Sequence, residues 1–146
     1  KTDDQLAGVV AHELGHITAR HGIKRMQTLY GYTLLQGLAI ASQDADAVVG
    51  VNAIYTSVFL AYSRQDEFEA DRLAVKYMKK AGYDPEEMIK VLEILKKEEE
   101  RARARPVSYF RTHPYLAERM GVVHQAITGE LRFKDYLNLT GSEVRL

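Results

Sequence analysis

The stretch His12-Glu13-Leu14-Gly15-His16 decides both the fold of this chain and the chemistry to look for in it. Positions four apart in an α-helix lie on one face, so His12 and His16 can direct two imidazole nitrogens at one metal ion. Glu13 lies about 100° round the helix from His12, where its carboxylate reaches a water on the metal without binding the metal. The stretch lies within an apolar helical pattern, which favours a ligand-binding role; the alternative is a pair of hydrogen-bonded core histidines.

The composition is that of an ordinary globular chain and predicts one domain, residues 1–146. Of the 146 residues, 46% are hydrophobic and 27% are charged, which argues against disorder. The 20 basic and 20 acidic residues give no net charge, so a nucleic-acid partner is not expected. The chain has no cysteine, and any zinc must therefore be held by histidine, aspartate and glutamate side chains.

Helical periodicity covers nearly the whole chain, and no convincing pair of alternating strands is present. The sequence therefore predicts a mainly α fold. The first helix is expected to bury a stripe formed by Leu6, Val10, Leu14 and Ile17. The predicted helices cover residues 2–21, 23–41, 47–80, 84–105 and 114–128, with a short helix over 131–139 and glycine stops at Gly22 and Gly82.

Two stretches without charge need a membrane test. Residues 26–43 and 47–63 are each near the lower limit of about 17–25 residues for a helix that spans a bilayer. Gln27, Gln36 and Asn52 interrupt their apolar character. We therefore expect a buried helical hairpin; the alternative is membrane contact over 26–63, as peripheral association or as a membrane-embedded protease.

A catalytic zinc site needs a third protein ligand and one open position. Glu67 and Asp71 are four residues apart and share a helical face with the apolar residues Leu60, Ala74 and Met78. Carboxylates on a buried stripe must be paired or bind a metal. The pattern predicts Glu67 as the third ligand and Asp71 as the acceptor of the spare N–H of a ligating histidine.

The alternative for this segment is an exposed acidic helix with ion pairs to Arg64 and Arg72. Asp66 and Glu69 fall on a different face, which we expect to be solvated. His21 lies five residues after His16 and is expected to point away from it, as a surface histidine or an outer partner of the site.

Three motifs together resemble one group of gluzincin metallopeptidases. They are HELGH at 12–16, SRQDEFEAD at 63–71 and THPYLAERM at 112–120. The group includes the CAAX prenyl endopeptidases, the HtpX membrane proteases and the soluble BepA-type periplasmic proteases, and the chain is most similar to the last branch. The resemblance covers roughly residues 4–125.

The resemblance implies roles for three residues. Glu67 matches the third zinc ligand of the family and Asp71 the aspartate that follows it. His113 matches a histidine near the substrate carbonyl that stabilises the oxyanion, although a His-Pro pair before a helix is equally typical of a loop and cap. Arg119 is more simply explained as a salt-bridge partner of Asp71 in the core than as a catalytic group.

The resemblance further implies a zincin-like helical core with one Zn²⁺ held by His12, His16 and Glu67, and Glu13 as general base. The expected function is hydrolysis of protein or peptide substrates in the bacterial cell envelope or periplasm. The family places a small β-sheet before its first motif; because only 11 residues precede His12, we expect that sheet to lie largely outside this chain. The alternative function is a non-catalytic or latent zinc-stabilised module with a chaperone-like, partner-binding role. Oligomeric state is not predicted.

Overall fold

The computed structural model of the chain describes residues 2–101, 113 and 115–129, except for the side chains of 61 and 62. Within those residues it contains helices and no strand, so the predicted mainly α fold is confirmed. The helices are α1 (Asp3–Thr18), α2 (His21–Ala41), α3 (Ala45–Ala81), α4 (Glu86–Arg101) and α5 (Leu116–Thr128).

One core joins α1, α3, α4 and α5, with α3 at its centre. Helices α1 and α3 pack closely at Gly15, where an added Cβ would lie 2.8 Å from the carbonyl oxygen of Ala70. Only a residue without a side chain allows this approach, which brings the two motif-bearing helices together. The buried apolar side chains of the core are Ala11, Ala74, Val75, Met78, Met88, Leu92, Leu116 and Val123.

The helix ends agree with the predictions where local signals are strong. Thr2 and Gln5 form the expected capping box at the start of α1. Gly82 ends α3 with φ +80°, a left-handed conformation that glycine adopts without strain. The predicted start of the last helix at Pro114 is shifted, because Tyr115 is in the left-handed region and α5 begins at Leu116. The short helix predicted over 131–139 lies outside the described residues.

The predicted boundary at Gly22 is wrong. Helix α1 ends at Thr18, and Arg20 takes the left-handed conformation with φ 57° before α2 begins at His21. Gly22 therefore lies inside α2 rather than at a helix stop. The break reverses the chain direction one turn earlier than predicted, which matters for His21 below.

Two predictions of burial are also wrong. The stripe of α1, from Leu6 to Ile17, is largely exposed; Ile17 is 71% exposed. The first half of α3 and most of α2 form an antiparallel pair whose apolar side chains face outward, so the hairpin is not buried. A helical period identifies an apolar face but does not say what covers it.

Candidate metal centre

The site lies where the middle of α1 meets the second half of α3. Helix α1 presents His12 and His16 on one face, and their Nε2 atoms are 3.1 Å apart. Helix α3 brings Glu67 against both: its Oε2 lies 3.4 Å from His12 Nε2 and its Oε1 lies 3.4 Å from His16 Nε2. Two imidazole nitrogens and a carboxylate from separate helices thus converge on one point.

His113 joins the same group from the chain segment before α5. Its Nδ1 lies 3.1 Å from Glu67 Oε2 and 3.4 Å from His12 Nε2. One potential ligand atom from each of His12, His16, Glu67 and His113 lies within 4.8 Å of the other three. The structure therefore places His113 among the potential ligands, closer to the centre than a group that only contacts a substrate oxygen.

Glu13 lies beside this group rather than in it. Its side chain is half exposed, and its Oε1 lies 3.7 Å from His113 Nε2. The carboxylate is thus on the open side of the site, next to the ligand atoms and accessible to solvent. This is the position that the HExxH spacing predicts for a group that reaches a water but not the metal.

Asp71 and Arg119 form a buried support behind the histidines. Asp71 Oδ1 lies 2.8 Å from His12 Nδ1, which places His12 with Nδ1 bonded to the support and Nε2 toward the site. Arg119 donates from Nε and Nη2 to the two oxygens of Asp71, each at 2.8 Å. Its Nη1 lies 3.0 Å from Glu67 Oε2, so one guanidinium holds both carboxylates in place.

The pKa values of the two buried partners shift in opposite directions. Burial raises the pKa of Glu67, but its polar contacts with the imidazoles of His113, His12 and His16 and the charge of Arg119 outweigh it and lower the pKa well below its usual range. Burial lowers the pKa of His12, but hydrogen bonds to Asp71 and Glu67 outweigh it and raise the pKa. Glu67 is therefore an anion at neutral pH, which suits a cation in the site.

Asp66 contradicts its sequence-based expectation, whereas His21 does so only in its direction: it contacts His16, as the outer partner that was one of its two expected roles. His21 is buried, and its Nδ1 lies 2.8 Å from Nδ1 of His16, because the break at Arg20 turns it back toward α1. Asp66 is buried rather than solvated; it lies 3.5 Å from His21 Nε2 and accepts a hydrogen bond from Arg25. Glu69 is about half exposed, as expected. A non-glycine residue in a left-handed conformation has no clear local signal, which is why the direction of His21 was predicted wrongly.

The donor set fits a divalent transition metal. Imidazole nitrogens and one carboxylate are typical ligands of such ions when no thiolate is present. Glu67 Oε1 is buried and accepts no hydrogen bond from the described residues, although His16 Nε2 lies 3.4 Å away. A buried carboxylate oxygen without a donor is accounted for by a cation.

Comparisons with known proteins agree with this chemistry. The family model of peptidase family M48 matches residues 1–127. The beta-barrel assembly-enhancing protease of Escherichia coli (strain K12) is 33% identical over 128 residues, which cover 81% of this chain and 26% of that protein. The mitochondrial metalloendopeptidase OMA1 of Arabidopsis thaliana is 32% identical over 126 residues, 86% of this chain and 25% of that protein.

The corresponding OMA1 of Saccharomyces cerevisiae (strain ATCC 204508 / S288c) is 33% identical over 123 residues, 81% of this chain and 35% of that protein. The chain thus spans about a quarter to a third of the length of these curated relatives. No solved structure gives a significant match. The relatives are named as proteases, and those named OMA1 as metalloendopeptidases, which supports a metal-dependent protease role.

Proposed function

The chain belongs to peptidase family M48, and on that basis we propose that it is the catalytic core of a zinc-dependent endopeptidase. The observation that carries the proposal is the meeting of His12, His16 and Glu67, contributed by two helices, at Nε2–carboxylate distances of 3.4 Å. We assign these three residues as the ligands of one Zn²⁺. When bound, zinc supplies Lewis acidity that lowers the pKa of a coordinated water and polarises a carbonyl group.

The residues around the metal have separate roles in the proposed reaction. Glu13 accepts the proton of the attacking water and then donates it to the leaving amine, which its half-exposed position next to the ligands allows. Asp71 holds His12 with Nε2 toward the metal, and Arg119 holds Asp71. His113 lies within the ligand group, where its imidazole is placed to contact a developing oxyanion.

We further propose a protein or peptide substrate and a location in the bacterial cell envelope. The names of the relatives point in two directions, since one is a beta-barrel assembly-enhancing protease and another is mitochondrial. The motifs of this chain are most similar to the BepA-type branch, and that similarity supports the envelope. Fractionation of the source cells tests the location: recovery of the protein in the cytosol contradicts it.

The test of the catalytic proposal is Glu13→Gln in the full-length protein. The variant keeps the shape of the side chain and loses the base, so we expect stoichiometric zinc with cleavage of a casein or peptide substrate abolished. Glu98→Gln is the matched control, because Glu98 is an exposed carboxylate on α4 away from the site. Normal cleavage by Glu13→Gln refutes the role of Glu13, and absence of zinc from the wild-type protein refutes the metal site.

The position of His113 favours a second candidate, a latent form. A fourth protein ligand fills the position that a catalytic water needs, and His113 Nδ1 lies close enough to the group for that role. His113→Ala separates the two cases. If His113 serves the oxyanion, the variant cleaves more slowly; if it closes the site, the variant cleaves faster and the wild-type protein is a zinc-stabilised form awaiting release.

A further inference from the structure

The paired halves of α2 and α3 form a hairpin, residues 26–60, with an unusual distribution of polarity. Between Met26 and Gln43, and again between Ala47 and Leu60, there is no charged residue. By length and composition α3 is able to cross a membrane, and none of its apolar window is buried. The large exposed apolar side chains of the hairpin are Met26, Leu29, Tyr30, Leu34, Leu35, Leu38, Ile40, Val49, Ile54, Val58, Phe59 and Leu60.

One hydrogen bond and one aromatic stack join the two helices of the hairpin. Tyr32 donates to Oδ1 of Asn52 at 2.7 Å, and the Tyr32 ring stacks on Tyr55 with centroids 4.0 Å apart. Large apolar side chains that face outward reverse the usual arrangement of a pair of helices in water. It is the arrangement expected where the surroundings are apolar, since interhelical hydrogen bonds then hold the pair together.

Four hydroxyl groups of the hairpin are hydrogen-bonded within their own helix. Thr33, Thr56 and Ser57 each donate to the backbone carbonyl four residues earlier, at 2.9 Å. Thr28 does the same to Lys24 at 3.1 Å. Hydrogen bonding within the helix is how hydroxyl residues are accommodated in a hydrocarbon environment, where every polar group must find a partner inside the protein.

Charge is confined to the two ends of the hairpin. At the base of the hairpin lie Lys24 and Arg25 on α2 and Arg64 on α3. At its tip lie Asp44 and Asp46. The uncharged stretches are about 27 Å and about 21 Å long at 1.5 Å per residue, against about 30 Å for the hydrocarbon layer of a bilayer. The charged ends of the hairpin correspond to the two headgroup regions of a bilayer, and its uncharged middle corresponds to the hydrocarbon layer between them.

We propose that the hairpin inserts into a lipid bilayer. A second copy of the chain or a partner protein covers one side of a helix, but the exposed residues of α2 point in several directions. Leu34, Leu35 and Ile40 are each more than half exposed and lie roughly 100–140° apart around the helix axis. Only the hydrocarbon layer of a bilayer surrounds a helix and contacts its side chains on all these sides at once. The insertion holds the metal site near the bilayer surface, at the base of the hairpin.

The experiment is flotation of the full-length protein with vesicles of phosphatidylethanolamine containing phosphatidylglycerol as the minor lipid. We expect the wild-type protein to float with the vesicles. Leu34→Glu combined with Leu38→Glu puts two charges into the apolar layer and is expected to lower the partition coefficient by more than about a hundredfold. Ile94→Glu is the control, because it places the same charge on an exposed apolar residue of α4 and leaves flotation unchanged.

Two results overturn the proposal. One is a wild-type protein that stays in the soluble fraction, or equal flotation of the wild-type protein and the Leu34/Leu38 variant. The other is a stable dimer in sedimentation velocity without lipid that the Leu34/Leu38 variant breaks, since the occupant is then a second copy. Both substituted residues are exposed, so circular dichroism is expected to show unchanged helicity and a folding defect is distinguishable from lost binding.

A second inference concerns His21, and it rests on the proposed zinc site. The Nε2 of His16 faces the ligand group, and its Nδ1 lies 2.8 Å from Nδ1 of His21. His12 repeats this arrangement with Asp71, also at 2.8 Å. His21 Nε2 lies 3.3 Å from Glu69 and 3.5 Å from Asp66. Carboxylates on that side place the proton on Nε2, which leaves Nδ1 as the acceptor for the N–H of His16.

The backbone supports the same role. Arg20 holds a left-handed conformation that side chains rarely adopt, and this conformation brings the buried His21 back onto His16. On an uninterrupted helix, residues five apart point about 140° away from each other. We infer that His21 is a positioning residue that keeps Nε2 of His16 directed at the metal.

Two substitutions separate positioning from packing. An Asn side chain at position 21 puts a polar atom near the place of the Nδ1 of His21. A Gln side chain puts its polar atom near the place of the Nε2 of His21 instead. We expect zinc affinity, measured by competition with a chromogenic chelator, to fall roughly 10- to 100-fold in His21→Gln and to stay near the wild-type value in His21→Asn. Equal affinity of both variants and the wild-type protein overturns the role of His21. A wild-type protein without zinc affinity overturns the proposed site instead.

Discussion

Gly15→Ala is the substitution that most directly tests how the packing of α1 on α3 supports the metal centre. An added Cβ would lie 2.8 Å from the carbonyl oxygen of Ala70 and 2.9 Å from its Cα. Ordinary contacts begin at 3.4 Å, so the helices must separate by about 0.6 Å, the difference between 3.4 and 2.8 Å. The neighbour is backbone and cannot move aside by changing a rotamer.

Gly8→Ala on the same helix is the matched control. There the added Cβ would lie 3.5 Å from Met88 and 3.6 Å from Met78, which are ordinary contacts. Both variants gain the same helix propensity, about 1 kcal/mol, so their difference isolates the cost of overpacking. We expect the free energy of unfolding of Gly15→Ala to be lower than that of Gly8→Ala by about 1–3 kcal/mol.

The same displacement affects the metal centre, because His12 and His16 lie on one side of the contact and Glu67 on the other. A shift of about 0.6 Å exceeds the tolerance of a productive site, about 0.5 Å. We expect zinc affinity to fall by roughly tenfold or more. Urea unfolding followed by circular dichroism and zinc competition are the assays. Equal unfolding free energies and equal zinc affinities for the two variants refute the reasoning.

Three further predictions follow from the support and core of the site. Arg119→Met leaves Asp71 buried without its guanidinium partner and is expected to lower the free energy of unfolding by about 3–5 kcal/mol; a loss below about 1 kcal/mol in urea unfolding contradicts the support role. Met78→Ala removes a buried side chain between α3 and α1 and is expected to cost about 2–5 kcal/mol in the same measurement, whereas a neutral effect means that the core is packed differently. Addition of a chelator is expected to lower the melting temperature of the wild-type protein but not of Glu67→Gln, because only a protein that binds zinc gains stability from it; an equal shift in both contradicts the ligand assignment.

The parts of the site that were predicted from sequence depend on local geometry. Residues four apart share a helical face, so the pairing of His12 with His16, and of Glu67 with Asp71, follows from spacing alone. Gly82 likewise ends α3 as predicted, because a left-handed residue at a helix end favours glycine. Family membership also followed from the motifs, since the M48 match covers residues 1–127.

The features that local patterns do not predict depend on tertiary contacts. The family resemblance, and no local pattern, indicated a site role for His113, whose contact with His12 spans 101 positions of sequence. His21 returns to His16 through a strained residue, Arg20, whose conformation no local pattern indicates. The apolar face of α1 was identified correctly as a stripe, but its exposure depends on the partners of the helix and not on its own residues.

X-ray absorption at the zinc edge, with metal content determined on the same sample, tests the central claim most directly. The proposed site predicts one zinc per chain in a shell of nitrogen and oxygen ligands at about 2.0–2.2 Å, with no sulfur and with the outer scattering typical of imidazole. It also predicts that Glu67→Ala loses the metal or changes that shell. A wild-type protein without bound zinc, or a shell that is identical in Glu67→Ala, contradicts the assignment of His12, His16 and Glu67 as the zinc ligands.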